Sequence, residues 1–297
     1  MKSGRRKIFV GVSGGVDSSV VVYLLKKKGY DVHGVFVKTW SPEWLPCTWI
    51  DEKRDAMRVC ASLDIPFHFL DAEEAYKQGV ADYMIAEYRA GRTPNPDVLC
   101  NRVIKFGVTW EYVKAQGGEA IATGHYAQTD GENLIKGVDQ SKDQSYFLWM
   151  LSKEELKHVL FPIGHLQKSE VRKIAEKAKL FTSEKKDSQG ICFLGDIDMR
   201  KFLEHYIQQK KGHIIDMEGD VIGEHDGIWF YTLGERHGFR LFKQSIDQKP
   251  YYIVEKRIGD NTLVVSHNPK SEIKNKKQTI TLRNTSWLCA RQDLAQK

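Results

Sequence analysis

A chain of 297 residues suggests about two domains of roughly 150 residues each, and 45 Lys and Arg against 39 Asp and Glu leave a net charge of +6, which admits a nucleic acid as partner. No apolar run approaches the roughly 20 residues of a membrane span, and the opening Met1-Lys-Ser-Gly-Arg-Arg-Lys7 has no apolar signal region behind it, so the reading is a soluble cytoplasmic protein with no membrane partner. Five scattered cysteines (Cys47, Cys60, Cys100, Cys192, Cys289) form no close pair, which excludes by spacing a disulfide framework and a zinc site.

In chain order, residues 7–12 and 32–38 read as short β-branched strands on either side of a helix over 18–28. Between the first strand and that helix lies a small-residue turn made of Gly11, Val12, Ser13, Gly14, Gly15, Val16, Asp17 and Ser18. Such a turn offers backbone N–H groups and the positive end of a helix to an anion. It lacks the Gly-Lys-Ser/Thr ending by which a P-loop sends a lysine to the terminal phosphates; an acid and a hydroxyl stand there instead. Residues 51–63 form a second amphipathic helix, 65–70 a strand and 72–88 a helix. Two prolines make 92–97 a loop, 100–115 is helical again, and 119–122 is a strand. This alternation argues for an α/β domain with a parallel sheet covered on both faces, its ligand at the carboxyl ends of the strands.

From about His205 the texture changes to short β runs, 251–254 and 262–266, joined by turn signals such as Asp226-Gly227 and Gly259-Asp-Asn261. The expected organisation is a catalytic domain over 1–204, a smaller mainly β domain over 205–276, and the start of a further, incomplete β domain over 277–297, where 278–287 has a strand pattern.

Two thiols stand out. Cys100 follows the constrained Asn95-Pro96-Asp97 loop and is expected to open a helix, where the local dipole, with Arg102 nearby, favours thiolate. Asp97 either caps that helix or shuttles a proton. Cys192 lies in Asp187-Ser-Gln-Gly-Ile-Cys-Phe-Leu-Gly195 between two glycines. Cys60 occupies an apolar helix position and reads as core; Cys47 and Cys289 read as structural or incidental.

Ser13-Gly-Gly-Val-Asp-Ser18 resembles the PP-loop signature Ser-Gly-Gly-x-Asp-Ser of the ATP pyrophosphatases. That resemblance implies ATP as cofactor, with glycines admitting the β- and γ-phosphates and serine hydroxyls donating to them. Mg²⁺ would be held with the ATP near Asp17, not by protein ligands alone. Such enzymes cut ATP between the α- and β-phosphates and adenylate an oxygen, a cut that needs no lysine on the γ-phosphate.

Further segments in the same order, Thr93-Pro-Asn-Pro-Asp97 with Cys100-Asn101, Ala122-Thr-Gly-His-Tyr-Ala127, Lys142-Asp-Gln-Ser-Tyr-Phe-Leu148, and 187–195, resemble the tRNA-specific 2-thiouridylases. The likeness continues to Tyr231-Thr-Leu-Gly-Glu-Arg-His-Gly238. It implies a tRNA sulfurtransferase: ATP adenylates the uracil O2 of a wobble uridine, and a persulfide on Cys192 supplies sulfur to C2. Cys100 then closes a transient Cys100–Cys192 disulfide, or first releases hydrosulfide. The implied partners are tRNA, a persulfide sulfur donor and a reductant. By the same likeness Val37 contacts adenine, Gly124 lies beside the nucleotide and His125 near the reacting base. Asn95, Pro96 and Asp97 shape the base pocket, and Lys142, Asp143 and Gln144 touch tRNA.

The sequence departs from that family in stopping soon after 279–287, where members usually continue into a complete β-barrel, and in having Glu235 where glutamine is common. An adenylating amidotransferase or amide synthetase would share the loop without depending on either cysteine. A non-catalytic ATP- and tRNA-binding protein would bind without releasing pyrophosphate.

Overall fold

The computed structural model describes residues 5–45, 49–187, 198–243 and 249–268. Cys47, Cys192, Cys289 and the strand expected over 278–287 lie outside them. The described residues fall into two compact units, 5–81 with 96–187, and 82–95 with 198–268.

The first unit begins with β1 (Lys7–Gly11), α1 (Val16–Lys27), β2 (Asp31–Lys38), α2 (Trp49–Ser62), β3 (Phe67–Asp71) and α3 (Glu73–Tyr76). A wide i→i+5 turn, Lys77–Ala81, follows, and α4 (Asp82–Arg89) then belongs to the second unit. The chain re-enters the first unit at α5 (Pro96–Leu99), runs through a wide-turned segment Cys100–Val108 into α6 (Thr109–Ala115), and forms β4 (Ala120–Ala122). A small antiparallel hairpin, β5 (Ala127–Thr129) with β6 (Leu134–Lys136), precedes α7 (Lys153–Leu156), β7 (Val159–Leu160) and α8 (Lys168–Lys177).

The main sheet is wholly parallel in the order β3-β2-β1-β4-β7. β1 carries an unbroken apolar run because both its faces are covered. Ile8 and Val10 join α1 and α8 in one core layer, while Phe9 points to the other layer with Val35, Val37, Tyr76 and Ile104. α1 contains Val20, Val21 and Val22, poor helix formers by intrinsic preference. All three are fully buried, so tertiary packing holds the helix. The strand order reverses between β1 and β4, which sets the loops after those two strands side by side at the switch point.

The second unit adds α9 (Met199–Glu204) and a five-stranded sheet of β8 (Gly212–Ile215), β9 (Val221–His225), β10 (Arg240–Leu241), β11 (Tyr252–Arg257) and β12 (Thr262–Ser266), ordered β10-β9-β8-β12-β11. The mainly β texture expected there is present. Arg200 is its polar hub, donating to Tyr231 Oη (3.2 Å), the Gly238 carbonyl (2.7 Å) and Asp226. Glu235, the departure noted above, accepts the Thr232 N–H at 2.9 Å. Its charge opposes the burial that lowers the nearby Lys256 ammonium to about 8.

One expectation needs correction. Helix begins inside the proline-rich segment: Pro96 stands at the first helical position, where its missing N–H costs nothing and its φ suits the helix. The helix expected over 72–88 is present over 73–89, with a wide-turned stretch at Lys77–Ala81. Gly79 lies there because a Cβ would come within 2.8 Å of Val103.

Candidate active site

The turn after β1 is held from below and behind. Gly14 has φ +73°, and a Cβ there would sit 2.7 Å from Asp55 Cβ, so α2 packs directly on the loop. Ser18 Oγ donates to the Gly15 carbonyl at 3.2 Å and accepts the Ser13 N–H at 3.4 Å, while Ser19 Oγ donates to the same carbonyl at 2.7 Å. These bonds cross-link the loop to the first turn of α1. Gly124, after β4, closes the other side: a Cβ would lie 3.0 Å from Asp17 Cβ and 3.2 Å from Ser18 N. The structure thus brings Ser13, Asp17, Ser18 and Gly124 together, as the switch-point argument requires.

Asp17 is occupied. Its Oδ1 accepts from Tyr126 Oη (2.9 Å) and Lys168 Nζ (2.7 Å), and its Oδ2 from Lys168 Nζ at 2.9 Å. The carboxylate raises the Tyr126 phenol further than burial alone does. The same ammonium reaches Asp187 Oδ1 at 2.9 Å. Asp187 also accepts from Lys142 Nζ (3.0 Å) and an Arg172 guanidinium nitrogen (2.8 Å). Burial alone would raise the Asp187 carboxyl; Lys168 and Lys142 outweigh it and bring it to about 2. Lys185 binds the far side of the loop, donating to the Gly14 carbonyl (3.1 Å) and Asp55 Oδ2 (2.7 Å).

His125 is buried and neutral, its pKa held well below 6.5 by desolvation and then by Lys105. An ammonium only donates, so Nε2 accepts from Lys105 Nζ (3.4 Å), and Nδ1 carries the proton shared with Thr123 Oγ1 at 2.7 Å. Both ring nitrogens hold the loop after β4 in place.

Cys100 is fully buried in the layer that holds Phe9, on the opposite face of the sheet from α1 and α8. Because the helix starts at Pro96, Cys100 is its fifth residue and does not open it. The dipole effect fades beyond the first turn, so the helix-terminus argument for thiolate does not apply at this position. Arg102 forms an ion pair with Glu155, so its charge is already matched. Asp97 lies in the helix's first turn. Next to Cys100, Asn101 donates to the Phe147 carbonyl at 2.9 Å, while its buried Oδ1 has no partner among the described residues. Val37 is buried near the end of β2, two residues past the last β1–β2 pair, Gly11 with Val35.

The family model described as the tRNA methyl transferase HUP domain matches residues 6–196, and that of the tRNA methyl transferase PRC-barrel domain matches residues 200–267. The tRNA-specific 2-thiouridylase MnmA of Streptococcus thermophilus (strain ATCC BAA-491 / LMD-9) is 46% identical over 271 residues, covering 89% of this chain and 73% of the relative. That of Lysinibacillus sphaericus is 45% identical over 273 residues, covering 90% and 72%. The chain belongs to the tRNA-specific 2-thiouridylase family. Among solved structures, NMN synthetase from Francisella tularensis aligns over 65% of this chain and 71% of its own at 18% identity, with a TM-score of 0.39.

Of the three residues that resemblance to the thiouridylases places on tRNA, two are spent locally in this member. Asp143 accepts from the Gly137 N–H (2.9 Å) and the Ser145 N–H (3.1 Å), and Gln144 Oε1 from the Tyr126 N–H (3.1 Å). Lys142, half-buried like its two neighbours, pairs with Asp187. Sequence reasoning missed Tyr126, Lys168, Arg172 and Lys185, which reach the loop and its acids from as far as 171 positions away. One signal was available. A lysine at the first position of a helix opposes the helix dipole, and Lys168 opens α8.

Proposed function

We propose that this chain thiolates the wobble uridine of tRNA at C2 in the cytoplasm, using ATP and a cysteine persulfide. The observation that carries the reading is the Ser13–Ser18 turn, braced by Gly14 and Gly124 at the strand-order reversal, in a member of the 2-thiouridylase family. A backbone cradle at a helix start accepts phosphates. Uracil O2 is a poor leaving group; its attack on the α-phosphate expels pyrophosphate and leaves O2 esterified to AMP. The terminal sulfur of a Cys192 persulfide then attacks C2, and AMP departs with the oxygen. The Cys100 thiolate attacks the inner sulfur, leaving the outer one on C2 and forming a Cys100–Cys192 disulfide, which a dithiol reductant reopens. In the other order, Cys100 attacks the persulfide first and frees hydrosulfide, which adds to C2. Mg²⁺ would be held by Asp17 and the phosphates once Lys168 released one of the carboxylate oxygens, and would neutralise phosphate charge there. Asn95, Pro96 and Asp97 line the base pocket in this reading. A uridine in a stacked anticodon loop must be splayed out to enter it.

The test is incubation with ATP, Mg²⁺, a persulfide donor, a reductant and unmodified tRNA, followed by nucleoside analysis. Wild type should yield 2-thiouridine, and C100S and C192S none. Undiminished product in both variants would overturn the mechanism.

A further inference from the structure

The turn after β1 lacks a lysine of its own, yet one stands beside it. Lys168 Nζ lies within 2.9 Å of both Asp17 oxygens and of Asp187 Oδ1, and the side chain is only 13% exposed. Asp17 is the second residue of α1, so this ammonium sits at the end of the helix that faces an anion.

Its placement is built, not incidental. At the start of α8 the Gln167 N–H donates to Glu170 Oε2 at 2.7 Å, and the Lys168 N–H donates to Asp139 Oδ2 at 2.9 Å. Val171 and Ala175 anchor α8 in the same core layer as Val20 and Val21 of α1. The helix start therefore fixes the stem, while the four-carbon chain lets the head turn. An ammonium has three rotatable donors, and a carboxylate can surrender one of them to a phosphate oxygen with little movement of the stem. A helix-opening lysine is unfavourable by dipole, a local cost that a structural neutraliser of Asp17 placed elsewhere would avoid.

We infer that Lys168 supplies from α8 the phosphate-contacting cation that the loop's own sequence omits, with Asp17 and Asp187 as the groups that position it. This rests on the adenylating reading above and deepens it by naming the residue that meets the triphosphate.

The experiment measures ATP binding by equilibrium dialysis in EDTA, for wild type, K168M, K168R and D187N, with melting curves for each. K168M should bind ATP at least tenfold more weakly than wild type, K168R should recover part of that loss, and D187N, which keeps the ammonium but loses one group that positions it, should show a loss at least threefold smaller than that of K168M. ATP binding by K168M within twofold of wild type would overturn the assignment. So would equal losses in K168M and D187N, the mark of an ion pair that only holds the fold. Should K168M fail to fold, mass spectrometry of acetylated wild-type protein decides: ATP should slow labelling of Lys168 at least tenfold, and an unchanged rate refutes the contact. A wild-type chain that binds no ATP defeats the adenylating reading and this assignment together; wild-type binding with an indifferent K168M defeats this assignment alone.

Discussion

Asp187 shows how a single side chain ties distant parts of the chain together. Three cations, Lys142 from the loop after β6 and Lys168 and Arg172 from α8, converge on its two oxygens. With its carboxyl near 2 in the folded chain against 3.8 for the ordinary group, its contribution is complete above about pH 4 and is lost as pH falls toward 2. The shift corresponds to about 2 kcal/mol. D187N should therefore be less stable than wild type at neutral pH by an amount of that order, and the gap should close between about pH 4 and 2 in denaturant titrations; a gap that stays constant would contradict the assignment. At this scale the sequence was legible where partners are local. Ser13 to Ser18 declared itself because six adjacent residues make the cradle. Lys168 and Tyr126 did not, because no pattern along the chain records a contact across 151 or 109 positions.

The helical stretch from Pro96 to Ala115 illustrates what periodicity misses. Its apolar spacing marks a helix, but nine residues, Cys100–Val108, follow a wider turn than the one that spacing assumes. Sequence pattern therefore located the helix and misjudged both its start and the setting of Cys100. Gly107 belongs to the wide segment, and a Cβ there would lie 2.9 Å from the Arg102 carbonyl oxygen. Gly→Ala inside an ordinary helix stabilises by roughly 1 kcal/mol. G107A should do the reverse and destabilise by about 1 kcal/mol or more as the wide turn is forced apart. A more stable G107A would show that the turn relaxes to ordinary helix at no cost. Cys60, by contrast, was read correctly as core: it is buried, and desolvation pushes its thiol up to about 12.

At the scale of the molecule, alternating strands and helices were enough to expect a parallel sheet with its site at the strand ends, and the sheet has that form. The grouping of Asp82–Arg89 with residues 198–268 was not readable, since an amphipathic helix shows which face it buries and not against which part of the chain. A net charge of +6 sets a further expectation for a tRNA partner. Binding measured by filter retention should weaken steeply between 50 and 200 mM salt, because each phosphate neutralised by Lys or Arg releases counterions. A flat response would argue against a phosphate-tracking surface.

The three-fold anchoring of Asp187 carries a last consequence. Cys192 stands five positions further along the chain. An extended chain spans at most about 3.6 Å per residue. Five steps of chain thus span at most about 18 Å from a carboxylate moored, through Lys168, to the nucleotide loop. On the mechanism proposed above, in which Cys192 carries the persulfide, that short reach requires the donor to deliver sulfur close to the ATP site.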